Sequence, residues 1–225
     1  MKTNNNALLL VGSPKGSLSI SATLGKNLIS RLEEFDFSAE EVYIYKHIEK
    51  EDKQKELLLK IDRADLIILA FPLYVDCLPS GVIKALELIS DYRKLQDNPK
   101  KQKFAVIINC GFPEAEHNNT AIRICRIFSR EVGFEWMGAL KIGMGGGLGG
   151  KTLEERGGMV RNIVSGFKIA VKALAKGKQI PEEAVEFVRK PMMPRKIYTS
   201  MGNLGWNIQA KQFGVRKNIK DKPYS

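Results

Sequence analysis

The sequence predicts an α/β protein built on a doubly wound parallel sheet. Three observations support this prediction. Short apolar runs alternate with amphipathic stretches, turn residues separate the two kinds of segment, and five strand–helix units fit within the first 176 residues. Strands buried on both faces are continuous apolar runs, whereas covering helices bury one face only. The pattern therefore favours a sheet with helices on both faces.

The five strand–helix units follow one another along the chain. Strands are predicted over residues 7–11, 41–45, 66–71, 104–110 and 136–142, and helices over residues 22–34, 52–62, 81–95, 120–132 and 153–176. Three of the strands are almost wholly apolar, which predicts central positions in the sheet, whereas the alternating second strand predicts a more exposed position. One more short helix is predicted over residues 181–190, and two prolines follow it.

The chain is expected to divide into a domain over residues 1–177 and a C-terminal region over residues 178–225. This region would hold the last short helix and a basic arm, residues 195–225, called the C-terminal arm below. The region carries ten basic and four acidic side chains, a net charge of +6 out of +11 for the whole chain. Because scattered apolar residues lie among these charges, we expect the arm to pack on its own domain or on a partner subunit.

Composition excludes several classes of protein. Of the 225 residues, 44% are hydrophobic and 27% are charged, which describes a globular chain with a core. The longest apolar run has about six residues, against the ~18–20 of a membrane-spanning helix, and the N-terminal apolar stretch is too short for a signal peptide. Cys77, Cys110 and Cys125 have no metal-binding or disulfide spacing. We therefore expect a cytoplasmic protein without a metal site.

Candidate chemistry lies in the loops after the three apolar strands, because ligands of open α/β sheets bind beyond the carboxyl ends of strands. The first loop, residues 12–21, has the sequence GSPKGSLSIS and leads into a helix. Its backbone N–H groups and hydroxyls, with the positive end of the helix dipole, favour a phosphate. It matches neither GxxxxGK[ST] nor GxGxxG. The alternative is a loop that only caps the helix.

The other two loops suit a flat ring. The second loop, residues 72–81, has the sequence PLYVDCLPSG, which places apolar side chains at the rim of the sheet. The third loop, residues 111–119, follows Asn109 at the end of its strand. An apolar edge with backbone polar groups nearby is suited to a heterocycle. Together the three loops predict a phosphorylated heterocyclic ligand.

In this order the three loops resemble those of the flavodoxin-like NAD(P)H-dependent FMN reductase and quinone reductase family. The motifs GSPKGSLSIS, FPLYVDCLPSG and NCGFPE carry the resemblance, which spans residues 7–175. It implies a flavodoxin-like sheet of five parallel strands in the order 2-1-3-4-5. It also implies bound FMN, NADPH or NADH as co-substrate, and a homodimer or higher homo-oligomer.

The resemblance further implies which residues contact the cofactor. The FMN phosphate would lie on Ser13, Lys15, Ser19 and Ser21, and the isoalloxazine against Pro72, Leu73, Tyr74 and Val75, with Asn109, Gly111 and Phe112 on the third side. Lys15 stands where the family commonly has arginine, so the charge is kept but the bidentate geometry is lost. The compact cysteine motif of iron–sulfur relatives is absent from the sequence.

The implied activity passes hydride from NAD(P)H to FMN and on to a quinone, a nitro compound, a flavin or a similar acceptor in a ping-pong cycle. No acid or base is strictly required, although Tyr74 and His117 could contact the ring or a bound quinone. The alternative is a flavodoxin-type electron carrier or an FMN-binding protein without direct NAD(P)H turnover. A carrier of this type is typically acidic, unlike this chain. A response-regulator receiver is excluded, because the acidic residues that it needs are missing.

Two segments leave alternatives open. Residues 145–150 match GxGxxG, but no carboxylate for a ribose occurs between residues 157 and 181, so we expect a flexible loop near the active site or a plain connector. The C-terminal arm has three interpretations. An intersubunit clasp is the first, peripheral contact with an acidic membrane is the second, and nucleic-acid binding is the least favoured because no recognition motif is visible.

Overall fold

The computed structural model describes residues 5–148 and 152–222. At its centre lies a five-stranded parallel sheet in the order β2-β1-β3-β4-β5. The strands are β1 (Asn5–Val11), β2 (Phe37–Tyr43), β3 (Leu66–Pro72), β4 (Lys103–Asn109) and β5 (Glu135–Ile142). The helices are α1 (Ile20–Glu33), α2 (Glu51–Arg63), α3 (Ser80–Lys94), α4 (Asn119–Glu131), α5 (Arg161–Ala175), α6 (Glu182–Arg189) and α7 (Arg195–Gln212). The predicted fold class and strand order are confirmed.

Helices cover both faces of the sheet, which explains the continuous apolar strands. In β1, Leu9 packs in one core cluster with residues of α1 and α5, while its neighbours Leu8 and Leu10 pack in a second cluster with residues of α2 and α3. Because successive side chains of a strand point to opposite faces, each residue of β1 from Ala7 to Val11 is buried.

The register brings the carboxyl ends of the three central strands to one edge. Val11 pairs with Ala70 of β3, and Pro72 at the end of β3 pairs with Asn109 at the end of β4. Gly12 follows β1 at this edge, where a Cβ would overlap the side chains of Val82 and Phe71. Glycine therefore permits the close approach of α3 to the first loop.

The structure corrects the predicted helix over residues 153–176. A 3₁₀ segment, Glu154–Val160, precedes α5, and the chain bends at Gly157, which has φ 53° and ψ −135°. This conformation is not helical, and glycine adopts it far more readily than residues with a side chain. The remaining 3₁₀ turns cover Gly16–Leu18, Ile44–Lys46, Ala115–Asn118, Gly145–Leu148 and Arg216–Asn218. The second strand also begins earlier than predicted, at Phe37, and ends at Tyr43.

Beyond α5 the chain adds two helices of different character. Helix α6 packs on the domain through Ala184 and Val188, which are buried in the cluster with α1 and α5. Helix α7, which was not predicted, is largely exposed, and Trp206 is 70% accessible. Among residues 5–148 and 152–222, no helix has the length and apolarity needed to span a membrane.

Candidate functional site

The first loop forms a tight turn that leads into α1. Ser13 is buried, its carbonyl accepts the N–H of Gly16 at 3.0 Å, and its Oγ accepts the N–H of Lys15 at 3.4 Å. Gly16 has φ 56°, a left-handed conformation that glycine adopts at little cost. Ser19 caps α1: its Oγ accepts the N–H of Ala22 at 3.1 Å and donates to the carbonyl of Gly16 at 2.7 Å.

Ser21 connects the first loop to the third. Its Oγ donates to Oδ1 of Asn109 at 2.9 Å, and both side chains are buried. The carbonyl of Asn109 also accepts the N–H of Leu73, at 2.8 Å. Asn109 therefore joins all three loops, through its side chain to α1, through its backbone to the second loop, and by sequence to the third.

These hydrogen bonds distinguish Ser19 and Ser21 from Ser13 and Lys15, the other two residues predicted to hold a phosphate. The hydroxyl protons of Ser19 and Ser21 are already donated within the protein. The N–H groups of Ile20 and Ser21 at the start of α1 and the ammonium of exposed Lys15 are donors that a phosphate could use. The first turn of α1 contains no acidic residue. The loop therefore fits a phosphate, and the hydrogen bonds of Ser19 and Ser21 stabilise the conformation of the loop.

The second loop contains a strained turn over residues 74–77. Backbone N–H and carbonyl groups of Tyr74 and Cys77 exchange hydrogen bonds of 3.0 Å in both directions. Val75 and Asp76 between them have φ angles of 49° and 56°, as in a type I′ turn. A β-branched residue is rare in this region, and the Val75 side chain is 98% exposed instead of packed. The turn therefore presents an apolar tip at the rim of the sheet.

The third loop faces this turn. The ring centroids of Phe112 and His117 lie 4.4 Å apart, and Phe112 is 53% exposed. His117 Nδ1 lies 3.9 Å from Oδ1 of Asp76, and its Nε2 lies 4.0 Å from Oε2 of Glu114. His117 thus stands between two carboxylates at the point where the second and third loops meet. Tyr74, the other predicted contact with a ring or quinone, is 43% exposed, and partial burial raises the pKa of its hydroxyl.

The ring side of the site is open at Gly111, where a Cβ would meet no atom within 4 Å. The second and third loops also carry exposed apolar side chains, those of Tyr74, Val75 and Phe112. Pro72, the last residue of β3, and Leu73, which follows it, are partly buried. The residues predicted to border the isoalloxazine are thus apolar and partly uncovered, which fits a flat ring.

The glycine-rich segment is fastened to the third loop. Met144 donates its N–H to the carbonyl of Phe112 at 2.6 Å, and Gly145 donates to the carbonyl of Cys110 at 2.7 Å. Residues 143–148 are therefore anchored at the edge of the candidate site. The rest of the GxGxxG match, residues 149–150, lies outside the described residues.

The cysteines have no reactive arrangement. Burial raises the pKa of Cys110, whose Sγ accepts from Nδ2 of Asn118 at 3.5 Å. Burial also raises the pKa of Cys125 to about 12. Cys77 is half-buried within the second loop. In the part of the chain that the structure describes, the three thiols are unpaired and no cluster of side chains could hold a metal ion.

Sequence reasoning missed Tyr198 of α7, which reaches the site from the C-terminal arm. Its hydroxyl donates to the carbonyl of Gly111 at 2.7 Å and lies beside Gly146, where an added Cβ would be 3.0 Å from it. Burial raises the pKa of this hydroxyl. Arg195 adds an ion pair of 2.8 Å with Glu114. Tyr198 stood out in the sequence only as one of several apolar residues of the arm.

Comparisons with known proteins show relationships of structure. No protein-family model and no curated protein matches the chain. An FMN-dependent NADH-azoreductase from Bacillus anthracis, solved with FMN, is 14% identical with a TM-score of 0.53, covering 76% of this chain and 99% of its own. A flavodoxin from Streptococcus pneumoniae TIGR4 is 14% identical with a TM-score of 0.51 and the same two coverages.

A third solved structure is the rubredoxin oxygen:oxidoreductase from Desulfovibrio gigas. It is 12% identical with a TM-score of 0.55 over 77% of this chain, which spans only 36% of that longer protein. At these identities the comparisons establish a flavodoxin-like fold. They agree with the family resemblance of the three loops at the level of the fold.

Proposed function

We propose that the protein is an FMN-dependent oxidoreductase that passes hydride from NADH or NADPH to FMN and on to a quinone, a nitro compound, a flavin or a similar acceptor. The observation that carries the proposal is the position of Asn109. Its hydrogen bonds to Ser21 and Leu73 hold a phosphate-type loop, an apolar loop and a third loop in one cleft. The flavodoxin-like fold binds ligands at this edge of the sheet.

The phosphate side of this cleft would be held by Lys15 and by the amino end of α1. Backbone N–H groups in the first turn are directed out of the helix and carry a partial positive charge. Ser13, Ser19 and Ser21 complete the loop, the last two by fixing its shape. No carboxylate occurs in residues 12–21 to repel the phosphate.

The ring side would be formed by Pro72, Leu73, Tyr74 and Val75, with Asn109, Gly111 and Phe112 opposite. When bound, FMN supplies the hydride chemistry, and the protein supplies position and electrostatics. Because the N–H groups of Leu73 and Tyr74 are bonded within the protein, those of Val75 and Asp76 are the ones that can stabilise negative charge on a ring beside them. His117, between Asp76 and Glu114, is placed to hold a proton near an acceptor.

Flavin binding and turnover test the proposal. Purified protein is titrated into FMN, and we expect quenching of FMN fluorescence with 1:1 stoichiometry. The loaded protein is then assayed for oxidation of NADH and of NADPH with 2-methyl-1,4-naphthoquinone. Failure to bind FMN contradicts the proposal outright. Binding without oxidation of either nucleotide identifies the alternative, an electron carrier or FMN-binding protein.

We further propose that the C-terminal arm clasps a second subunit, in a homodimer or higher homo-oligomer. Ile197, Leu204 and Ile208 of α7 are each more than half exposed and recur at helical spacing. Exposed apolar surface of this extent is typical of interfaces. Peripheral contact with an acidic membrane is the alternative for this basic segment.

The unpaired thiols of the described chain support a reducing, cytoplasmic setting.

A further inference from the structure

A groove of about 510 Å³ lies between α7 and the loops at the carboxyl edge of the sheet. Gly111, Gly146 and Arg156 contribute to its wall on the domain, and Tyr198 and Trp206 contribute to its wall on the arm. The volume falls within the range of small-molecule sites, about 300–1,000 Å³. The groove is therefore large enough for a ligand of two or three fused rings.

Tyr198 fixes the position of the groove. Because its hydroxyl donates to the carbonyl of Gly111, the arm wall is fastened to the third loop. The ion pair between Arg195 and Glu114 is a second fastening at the start of α7. Gly111 also borders the proposed ring site, so the groove opens beside the proposed flavin cleft.

The lining has a definite chemical character. Three methionines and Trp206 supply a soft apolar surface: Met159, Met193 and Met201. Methionine side chains adapt to ligands of varied outline, and an indole stacks on aromatic rings. Arg156 is the one charged residue among the described lining residues. A guanidinium matches the geometry of a carboxylate or sulfonate.

We propose that this groove binds the electron acceptor, a planar aromatic compound that carries one acidic group. Trp206 would stack on its rings, and Arg156 would bind its anionic group. The role as acceptor rests on the proposed function, whereas binding itself requires no flavin. Trp206 belongs to the arm and lies outside residues 7–175, to which the family resemblance extends. The resemblance therefore does not imply this site.

Fluorescence of Trp206 tests the proposal without turnover. Trp136 is the only other tryptophan of the chain, and it packs against Phe104, so Trp136→Phe keeps an aromatic contact while leaving one reporter. The flavin-free variant is titrated with anthraquinone-2-sulfonate. We expect saturable quenching. Linear, non-saturating quenching would overturn the proposal.

Arg156→Met in the same background assigns the anionic contact. We expect its affinity for the sulfonate to fall roughly tenfold, while affinity for uncharged 2-methyl-1,4-naphthoquinone stays unchanged. Arg216→Met, an arginine of the arm outside the groove, is the matched control and should bind both compounds normally. Equal sulfonate affinity of the Arg156→Met variant and its parent would refute the role of Arg156. If that variant fails to fold, Arg156→Lys, which keeps the charge, should retain part of the affinity.

The outcomes separate this inference from the proposed function. Saturable quenching in a protein that does not bind FMN would uphold the groove and remove its role as an acceptor site. Conversely, reduction of anthraquinone-2-sulfonate by the FMN-loaded protein without any response of Trp206 would uphold the oxidoreductase and refute the groove.

Discussion

The hydroxyl of Ser21 in α1 donates a 2.9 Å hydrogen bond to Oδ1 of Asn109 at the end of β4, across 88 residues of sequence. Both residues are almost completely buried. A buried acceptor that loses its donor retains the full cost of its lost hydration. The bond therefore couples the packing of α1 to the backbone that joins the second and third loops.

Ser21→Ala should lower the free energy of unfolding by about 1–3 kcal/mol, because it leaves the buried Asn109 oxygen unpaired. It should also weaken FMN binding, since Asn109 positions two of the loops. Urea denaturation and FMN titration measure the two effects. Ser30→Ala is the control on the same helix, where an exposed hydroxyl bonds to Asn27, and it should change stability by less than about 0.5 kcal/mol. Equal stability of both variants would show that the buried bond is unimportant.

Lys15→Met should weaken FMN binding roughly tenfold, because a charge-assisted contact with the phosphate is lost. Riboflavin, which has no phosphate, should bind the variant and the parent equally. The matched control is Lys172→Met, which removes a lysine in the last turn of α5, outside the three loops. A parallel loss of affinity for riboflavin would place Lys15 outside the phosphate site.

Val75→Asn should raise the free energy of unfolding by about 1 kcal/mol, since asparagine adopts positive φ angles more readily than a β-branched residue. Val215→Asn tests the same exchange at an exposed site with a φ of −105°, where we expect no gain. The comparison is made by urea denaturation. Destabilisation at position 75 would mean that the exposed valine contributes packing that outweighs its backbone strain.

Docking of the arm through Tyr198 should weaken in alkaline solution. Burial raises its pKa in the folded protein above the ordinary value, so its contribution is complete below about pH 10 and is lost as the pH rises through the folded pKa. In the Trp136→Phe background, fluorescence of Trp206 should report this transition. Tyr198→Phe should remove the transition, and its persistence in that variant would assign it to another group, such as Cys110.

Deletion of residues 191–225 should reduce the mass measured by light scattering to that of a monomer, because the exposed apolar face of α7 is lost. Sedimentation with vesicles of anionic lipid tests the alternative on the intact protein, which a basic arm on a membrane would bind at low salt. An oligomer of unchanged mass after the deletion would exclude the clasp.

The sheet could be predicted because its strands are buried on both faces. Leu8, Leu9 and Leu10 have no polar alternation to confuse with a surface helix, and turn residues follow each apolar run. Helix α7 could not be predicted in the same way, since two glycines, Gly202 and Gly205, and two asparagines, Asn203 and Asn207, lower its helix propensity.

The candidate site was predictable as a set of loops and not as a set of bonds. Residue types identified the three loops, but sequence cannot show that the Ser19 and Ser21 hydroxyls donate inside the protein. The turn at Val75 was also hidden, because its residues are not the Asn-Gly pair typical of such turns. Tyr198 lies far along the chain from Gly111, and only the fold brings them together.

The glycines around the third loop differ sharply in what they would tolerate. A Cβ at Gly145 would lie 2.9 Å from the carbonyl oxygen of Cys110, and one at Gly143 would crowd the backbone of Pro113, whereas Gly111 and Gly158 face empty space. In a library of single substitutions, the first two positions would be intolerant and the last two permissive. An engineer who wished to reshape the entrance by adding side chains would accordingly vary Gly111 and leave Gly143 and Gly145 untouched.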